Sequence, residues 1–215
     1  GKVSFAFSIT NLFLTFVTAI SVVLFPSLKR TNKENLPGLY KKIRAVMNPV
    51  LIIILIFYYP GCWILKQWLP EYNNSLLYLG ILLPIIIFSS KISLLTNNYL
   101  KALRKEKTML IINLISVGAA ICMFTFSAYV TNSLKILLFF IVVAIMFCSI
   151  LSESVVMKEL NIFNIREFIN EIVMALIFMF TTMMKSQIKG MLVYGLSIIV
   201  FLFINRKYIR NVLNK

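Results

Sequence analysis

The sequence predicts an all-α bundle of about seven membrane-spanning helices, on the basis of its composition, its hydrophobic runs and its charge pattern. Of the 215 residues, 60% are hydrophobic and only 13% are charged. A soluble domain carries about 25% charged residues and could not bury so much apolar surface. Apolar runs of about 20 residues recur along the chain, which is the length that a helix needs to cross about 30 Å of hydrocarbon.

Seven predicted spans follow one another with short connections. Each is interpreted as a helix, because a membrane-spanning strand would be about ten residues long and would alternate in polarity. The predicted ranges are 3–28, 46–65, 76–99, 109–130, 134–157, 168–184 and 190–205.

The basic residues predict how these spans are oriented. The chain has 22 lysines and arginines against seven acidic residues, a net charge of +15. Sixteen basic residues fall on one side of the predicted spans, five fall on the other, and Lys91 falls within a span. The larger set is Lys29, Arg30, Lys33, Lys41, Lys42, Arg44, Lys101, Arg104, Lys105, Lys107, Lys158, Arg166, Arg206, Lys207, Arg210 and Lys215, and the smaller set is Lys2, Lys66, Lys135, Lys185 and Lys189.

Cytoplasmic loops of membrane proteins are enriched in lysine and arginine. We therefore expect a multi-pass protein of the cell (cytoplasmic or inner) membrane, with an outside N-terminus and a cytoplasmic C-terminus. The basic charge is then a consequence of topology, and we expect no nucleic-acid partner.

Side chains that most enzymes use for proton transfer or metal binding are rare in this sequence. It contains no histidine and no aspartate, and Cys62, Cys122 and Cys148 are far apart. Histidine is the commonest general base and a preferred zinc ligand, and structural zinc sites use closely spaced cysteines. The sequence therefore predicts no catalytic residue, no metal site and no cofactor.

The first predicted span carries a stripe of small polar side chains. Ser4, Ser8, Asn11, Thr15 and Thr18 are spaced by four, three, four and three residues, which keeps them on one helix face. Such a stripe either seals a helix–helix contact or faces a water-filled cavity. Because the amide of Asn11 is costlier to hide than a hydroxyl, Ser8, Asn11 and Thr15 are candidate cavity-lining residues.

The third predicted span is the most polar. Lys91 and Asn98 are seven residues apart and are expected on one helix face, while Asn97 is expected on another with Ser90 and Ser93. An intramembrane lysine costs about 2.5–3.5 kcal/mol on insertion scales. Two interpretations remain open: the Lys91 ammonium snorkels towards the cytoplasmic side, or Lys91, Asn97 and Asn98 line a cavity and bind substrate.

Three glutamates complete the list of candidates. Glu153 lies near the cytoplasmic end of the fifth span, where it either pairs with a basic residue or acts as a titratable ion-coupling site. Glu167 and Glu171 stand four residues apart at the start of the sixth span, a place where the helix dipole favours acidic side chains.

Three stretches of the sequence resemble one family of membrane transporters. The first span and its exit, SFAFSITNLFLTFVTAISVVLFPSLKR, place a polar helix before a proline and the basic segment LPGLYKKIRAV. Then come YYPGCWILKQWLPEYNNSLLYLGILLP, with its EY turn before an apolar helix, and NNYLKALRKEKTMLIINLISVGA, with its basic turn. These features, over roughly residues 3–130, are similar to Wzx-type polysaccharide flippases of the multidrug/oligosaccharidyl-lipid/polysaccharide exporter superfamily. Family members usually have a glycine in the 101–107 turn, where this sequence has Arg104.

The resemblance implies a fold and a function. Residues 1–158 would be the second-lobe bundle, corresponding to family helices 8–12, and residues 159–215 would be two further spans with a basic cytoplasmic tail. The protein would be a flippase that moves a lipid-linked oligosaccharide, carried on undecaprenyl diphosphate, from the cytoplasmic to the outer leaflet for cell-surface polysaccharide synthesis. Its partners would be this lipid, the bilayer and a first lobe expected to precede these residues, and Lys91 would contact the diphosphate.

Two other functions remain open. A multidrug or small-solute antiporter of the same superfamily would share the fold. A membrane-embedded sugar polymerase or acyltransferase is less well supported, because such enzymes normally carry histidines or a large outside loop. The longest predicted outside connection, 66–75, is about ten residues.

Overall fold

The computed structural model describes residues 2–130, 133–184 and 186–213, and they form a bundle of helices. Lys185 and Lys215, which enter the charge pattern, lie outside the described residues. The helices are α1 (Lys2–Arg30), α2 (Leu36–Ile54), α3 (Tyr58–Trp68), α4 (Asn73–Leu82), α5 (Ile85–Lys91), α6 (Asn97–Ala102), α7 (Glu106–Val130), α8 (Leu134–Glu159), α9 (Ile165–Thr182) and α10 (Gln187–Leu213). A π-helical segment, Ile92–Thr96, joins α5 to α6, and the described residues contain no strand.

Six helical stretches are long and apolar enough to cross a membrane: Val3–Arg30, Lys33–Trp68, Ser75–Ala102, Glu106–Tyr129, Leu134–Glu159 and Gln187–Val212. They correspond to six of the seven predicted spans. The predicted sixth span is α9, which has 18 residues and carries Arg166, Glu167 and Glu171 in its first turns. The prediction of an all-α polytopic bundle is therefore confirmed, and α9 is distinguished by the three charged residues in its first turns.

The stretch Ser75–Ala102 forms the centre of the bundle. In the most apolar 18-residue segment of this stretch, 83% of the residues are buried. The corresponding shares are 17% in α1 and 11% in α7. Helix α1 packs along α4, α5, the π-helical segment and α6, while α8 packs against the same stretch from another side. The polar third span therefore lies in the interior of the bundle.

A proline interrupts the central stretch. Pro84 has no amide hydrogen to donate to the preceding turn, and α4 ends at Leu82. The amides of Ile86 and Ile87 then bond to the carbonyls of Leu83 and Pro84, at 2.9 and 3.1 Å, and α5 begins at Ile85. Pro84 thus separates α4 from α5, but both helices remain part of the same interior stretch, Ser75–Ala102.

Helix α10 packs on α2 and on α9, and α9 also packs on α4. An aromatic cluster of Tyr58, Tyr59, Phe178 and Tyr194, with ring centroids 5.1 to 6.5 Å apart, connects α3, α9 and α10. The Tyr194 hydroxyl donates to the Ile52 carbonyl at 2.9 Å, and the Tyr59 hydroxyl donates to Thr181 Oγ1 at 2.7 Å. Each tyrosine thus buries its ring and still satisfies its hydroxyl.

Two basic segments expected to be loop or tail are helical. Helix α2 begins at Leu36, ten residues before the predicted start, so that Arg44 lies inside a helix with 1% of its surface exposed. The segment is amphipathic: Leu36, Tyr40 and Arg44 face inward at i, i+4 and i+8, while Lys41 and Lys42 are exposed. Helix α10 likewise continues to Leu213 and carries Arg206, Lys207 and Arg210.

Candidate functional site

Five charged side chains meet inside the bundle, and we call them the ionic cluster: Arg44, Lys91, Glu153, Glu167 and Glu171. They come from α2, α5, α8 and α9, so the ionic cluster connects four helices that are distant in sequence. Four of the five side chains are 0–2% exposed, and Glu167 is 14% exposed.

Arg44 contacts all three carboxylates of the ionic cluster. Its Nε lies 2.7 Å from Glu153 Oε1, and its Nη2 donates to Glu171 Oε1 at 2.9 Å. Its Nη1 contacts Glu167 Oε2. The planar guanidinium presents donors in several fixed directions. One arginine can therefore contact three carboxylates that come from α8 and α9.

Lys91, which lies on the central stretch, forms ion pairs with two of the same carboxylates. Its ammonium contacts Glu153 Oε2 and Glu171 Oε2. Each of these glutamates therefore shares its two oxygens between Arg44 and Lys91. Only 1% of Lys91 is exposed, and Lys91 does not line the two cavities next to the ionic cluster. Its contact with a substrate stays a prediction.

Neutral side chains complete the surroundings of the ionic cluster. The Tyr40 hydroxyl donates to Glu153 Oε1 at 2.9 Å, and the Asn48 amide donates to Glu171 Oε1. The ring of Phe168 lies under both cations, with its centroid 5.4 Å from the Arg44 guanidinium carbon and 5.4 Å from the Lys91 nitrogen. These donors and the ring offset part of the cost of removing charges from water.

The ionic cluster carries one more negative than positive group, because three carboxylates face two cations. Glu167 is the most exposed of the carboxylates, and it lines a cavity of about 310 Å³ together with Tyr40, Lys41 and Arg44. A second, smaller cavity reaches Arg44, Asn48 and Glu171. Glu167 can therefore be reached through this polar cavity, beside Arg44.

The ionic cluster lies towards the basic ends of the helices that contribute to it. Arg44 is eight residues from the start of α2, and Lys91 is eleven residues before the end of α6. At 1.5 Å per residue these positions are roughly 12 and 16 Å from the basic ends of their helices. Charges buried in the interior of an apolar bundle are costly and need partners.

The predicted cavity-lining residues of the first span lie elsewhere. Ser8, Asn11 and Thr15 are all exposed on α1, away from the ionic cluster. The hydroxyls of Thr15 and Thr18 donate to the carbonyls of Asn11 and Leu14, each at 2.8 Å. The polar stripe is thus a free face of the described bundle and not a buried seam between its helices.

Asn98 does not share a face with Lys91, contrary to the expectation from their spacing. Its amide nitrogen donates to Ser21 Oγ at 3.0 Å on α1, whereas Lys91 points at Glu153 and Glu171. The π-helical segment between them inserts about one extra residue, which turns the following helix by roughly 100°. Asn97 is half-buried on α6.

The sequence analysis does not identify Arg44, Glu167 or Glu171 as members of the site. It assigns Arg44 to the cytoplasmic charges and both glutamates to a helix start where the dipole favours them. In the structure the cap of α9 is Asn164, whose Oδ1 accepts from the Arg166 amide at 3.2 Å. The available signal was the i, i+4, i+8 spacing of Tyr40, Arg44 and Asn48, which puts three polar side chains on the buried face of α2.

Among the residues that the structure describes, no group of three or more carboxylate or cysteine side chains is arranged to hold a metal ion. In the ionic cluster the guanidinium and the ammonium occupy the space between the carboxylates. No family model, curated protein or solved structure matches the chain. Fold and site together define a polytopic membrane protein with an interior ionic cluster.

Proposed function

We propose that this chain is part of a transporter that moves a lipid-linked oligosaccharide across the cell membrane. The observation that carries the proposal is the exposed polar stripe on α1, formed by Ser4, Ser8, Asn11, Thr15 and Thr18. From residue 4 to residue 18 it extends roughly 21 Å along the helix. A helix surrounded by lipid alone would present apolar side chains on this face.

The chemistry of the stripe suits sugar hydroxyls. Because the hydroxyls of Thr15 and Thr18 donate to carbonyls of their own helix, their oxygens remain acceptors for hydrogen bonds from a ligand. Asn11 offers both a donor and an acceptor. Next to this face, Leu12 and Phe16 are each 71% exposed and would accept a lipid tail. An amphiphile with a glycan head and an apolar tail matches such a pair of adjacent faces.

The ionic cluster has a supporting part in the proposal. It holds α2, α5, α8 and α9 together in the interior, so that α1 is presented on a fixed bundle. The space opposite α1 would be completed by a second helical bundle, the first lobe expected from the family resemblance. Transport of this kind requires one bundle to move against another around a shared site.

The test compares two threonines in the same local geometry. Thr15 of α1 and Thr125 of α7 are both exposed, and both donate to the carbonyl four residues earlier, at 2.8 and 2.9 Å. We expect Thr15→Val combined with Asn11→Leu to lower surface polysaccharide about tenfold at unchanged membrane abundance, because two hydrogen-bonding groups are lost. Thr125→Val should leave the polysaccharide unchanged. Normal polysaccharide in the α1 variant would refute transport along this face.

One observation favours a second candidate, the small-solute antiporter. The surplus carboxylate of the ionic cluster could take up a proton or a monovalent cation that enters beside Glu167. In proteoliposomes, an antiporter would collapse an imposed proton gradient when solute is added, and Glu167→Gln would abolish the response. A lipid-oligosaccharide flippase without ion coupling would leave the gradient unchanged.

A further inference from the structure

The turn between α6 and α7 closes with an arginine where the backbone favours glycine. Arg104 has φ of 55°, in the left-handed region. The amide of Lys105 bonds to the Leu100 carbonyl at 2.8 Å, and the amide of Arg104 bonds to the Lys101 carbonyl at 3.1 Å. This pair of bonds is the Schellman motif, whose left-handed position is usually glycine because a Cβ is disfavoured there.

A second turn of the same kind provides an internal comparison. At the end of α8, Asn161 has φ of 54°, and the amides of Ile162 and Asn161 bond to the carbonyls of Met157 and Lys158, at 3.0 and 3.2 Å. Asparagine tolerates the left-handed region better than other residues with a side chain. Arg104 has no such advantage, which makes an arginine unusual at this position.

Arg104 lines a cavity at the basic end of the bundle. The cavity has a volume of about 500 Å³ and lies between the end of α1 and the α6–α7 turn. Its rim carries four cations and one carboxylate, namely Lys29, Lys33, Lys101, Arg104 and Glu106. Its floor is apolar: Leu28 and Leu36 are buried, and Phe25 and Leu103 are half-buried.

We infer that this cavity binds the phosphate head group of an anionic membrane lipid. An excess of three positive charges at the rim attracts phosphate, and arginine offers it a bidentate contact. The apolar floor distinguishes a lipid from a free anion, since glycerol and acyl groups gain by burying against Leu28, Leu36 and Phe25. The position at the ends of membrane-spanning helices puts the rim at the depth of lipid head groups.

This inference does not depend on the transport proposed above. It concerns a cavity at the basic ends of α1 and α6, whereas the polar stripe runs along the apolar part of α1. Lys105, which stands next to Arg104, is held away by its ion pair with Glu159 at 2.9 Å. The left-handed turn therefore places Arg104 at the cavity, whereas Lys105 pairs with Glu159 at the end of α8.

The experiment measures the association of spin-labelled phosphatidylglycerol with the protein in phosphatidylcholine vesicles, relative to spin-labelled phosphatidylcholine. Arg104→Gln removes the cation and keeps the backbone conformation, and we expect the relative association constant to fall about tenfold. Arg210→Gln is the charge-matched control, because Arg210 is an exposed cation on the same side and outside the cavity. It should change the constant by less than about twofold, as expected of a screened surface charge.

A second pair of variants separates binding from folding. Arg104→Gly relieves the left-handed position, so the thermal unfolding midpoint should stay unchanged or rise while phosphatidylglycerol association falls as it does for Arg104→Gln. Asn161→Gly relieves the equivalent position after α8 and should leave association unchanged. Equal association constants for Arg104→Gln, Arg104→Gly and the unsubstituted protein would overturn the site. Displacement of the labelled lipid by millimolar inorganic phosphate would show a free-anion site and would overturn the lipid assignment.

Discussion

Replacing Lys91 with glutamine tests the ionic cluster directly, because it removes one of the two cations that serve three carboxylates. In the structure the Lys91 ammonium contacts Glu153 and Glu171, and the side chain is 1% exposed. After the substitution Arg44 alone faces all three glutamates. Glutamine can still donate hydrogen bonds through its amide, but it cannot neutralise a carboxylate.

The expected loss follows from the burial of these groups. Removing one partner of a buried ion pair costs about 3–5 kcal/mol, because a charge is left in a medium that solvates it poorly. The insertion cost of lysine, about 2.5–3.5 kcal/mol, is relieved by the same change, but that gain acts on membrane insertion and not on packing of the bundle. We therefore expect Lys91→Gln to insert normally and to unfold about 3–5 kcal/mol more easily.

The assay is the free energy of unfolding in mixed micelles, measured by titration with sodium dodecyl sulfate, with membrane abundance determined by immunoblot. Lys135→Gln is the matched control, because Lys135 is exposed at the start of α8 and should change the free energy by less than about 0.5 kcal/mol. In the double variant Lys91→Gln/Glu171→Gln the ionic cluster again has one more negative than positive group, as in the unsubstituted protein. Its loss of unfolding free energy should therefore be smaller than the sum of the two single losses by about 1 kcal/mol or more. A loss below about 1 kcal/mol for Lys91→Gln would contradict this account of a buried, fully paired ammonium.

The remaining predictions concern packing and topology. Gly190→Ala should cost about 1–3 kcal/mol, because a Cβ there would meet the Thr181 carbonyl oxygen at 2.6 Å, whereas Gly118→Ala has open space and should be neutral or stabilising in the same titration. Single cysteines at Gly38 and Glu71, both exposed at opposite ends of the Lys33–Trp68 stretch, should react differently with an impermeant reagent in intact cells. Labelling at 71 with protection at 38 is expected from the positive-inside rule, and the reverse pattern would contradict the proposed orientation.

The helical bundle was predictable because hydropathy is a local property. Each apolar run reports its own burial in lipid, so six of the seven predicted spans match apolar helices, Ser75–Ala102 among them. The amphipathic start of α2 was harder, because its lysines resemble a cytoplasmic loop. In the structure the helix begins at Leu36, and Arg44, at 1% exposure, lies on its buried face.

The ionic cluster was not predictable from local patterns. Arg44 and Glu171 are 127 residues apart, and Lys91 and Glu171 are 80 apart, so no periodicity within a helix connects them. The sequence did identify Lys91 and Glu153 as costly intramembrane charges, because an unpaired charge in lipid needs an explanation. Which charges meet depends on how the helices are arranged around Ser75–Ala102, and that is a property of tertiary packing.

The π-helical segment Ile92–Thr96 has a consequence for how this chain can evolve. Lys91 on one side of it reaches α8 and α9, and Asn98 on the other side reaches Ser21 of α1, so the rotation of both ends is fixed by interior contacts. Deleting one residue from the segment would restore a regular helix and turn one of the two ends by roughly 100°. Substitutions that keep the residue count preserve both contacts. We therefore expect this stretch to diverge by substitution and to resist insertions and deletions, a constraint on spacing more than on residue identity.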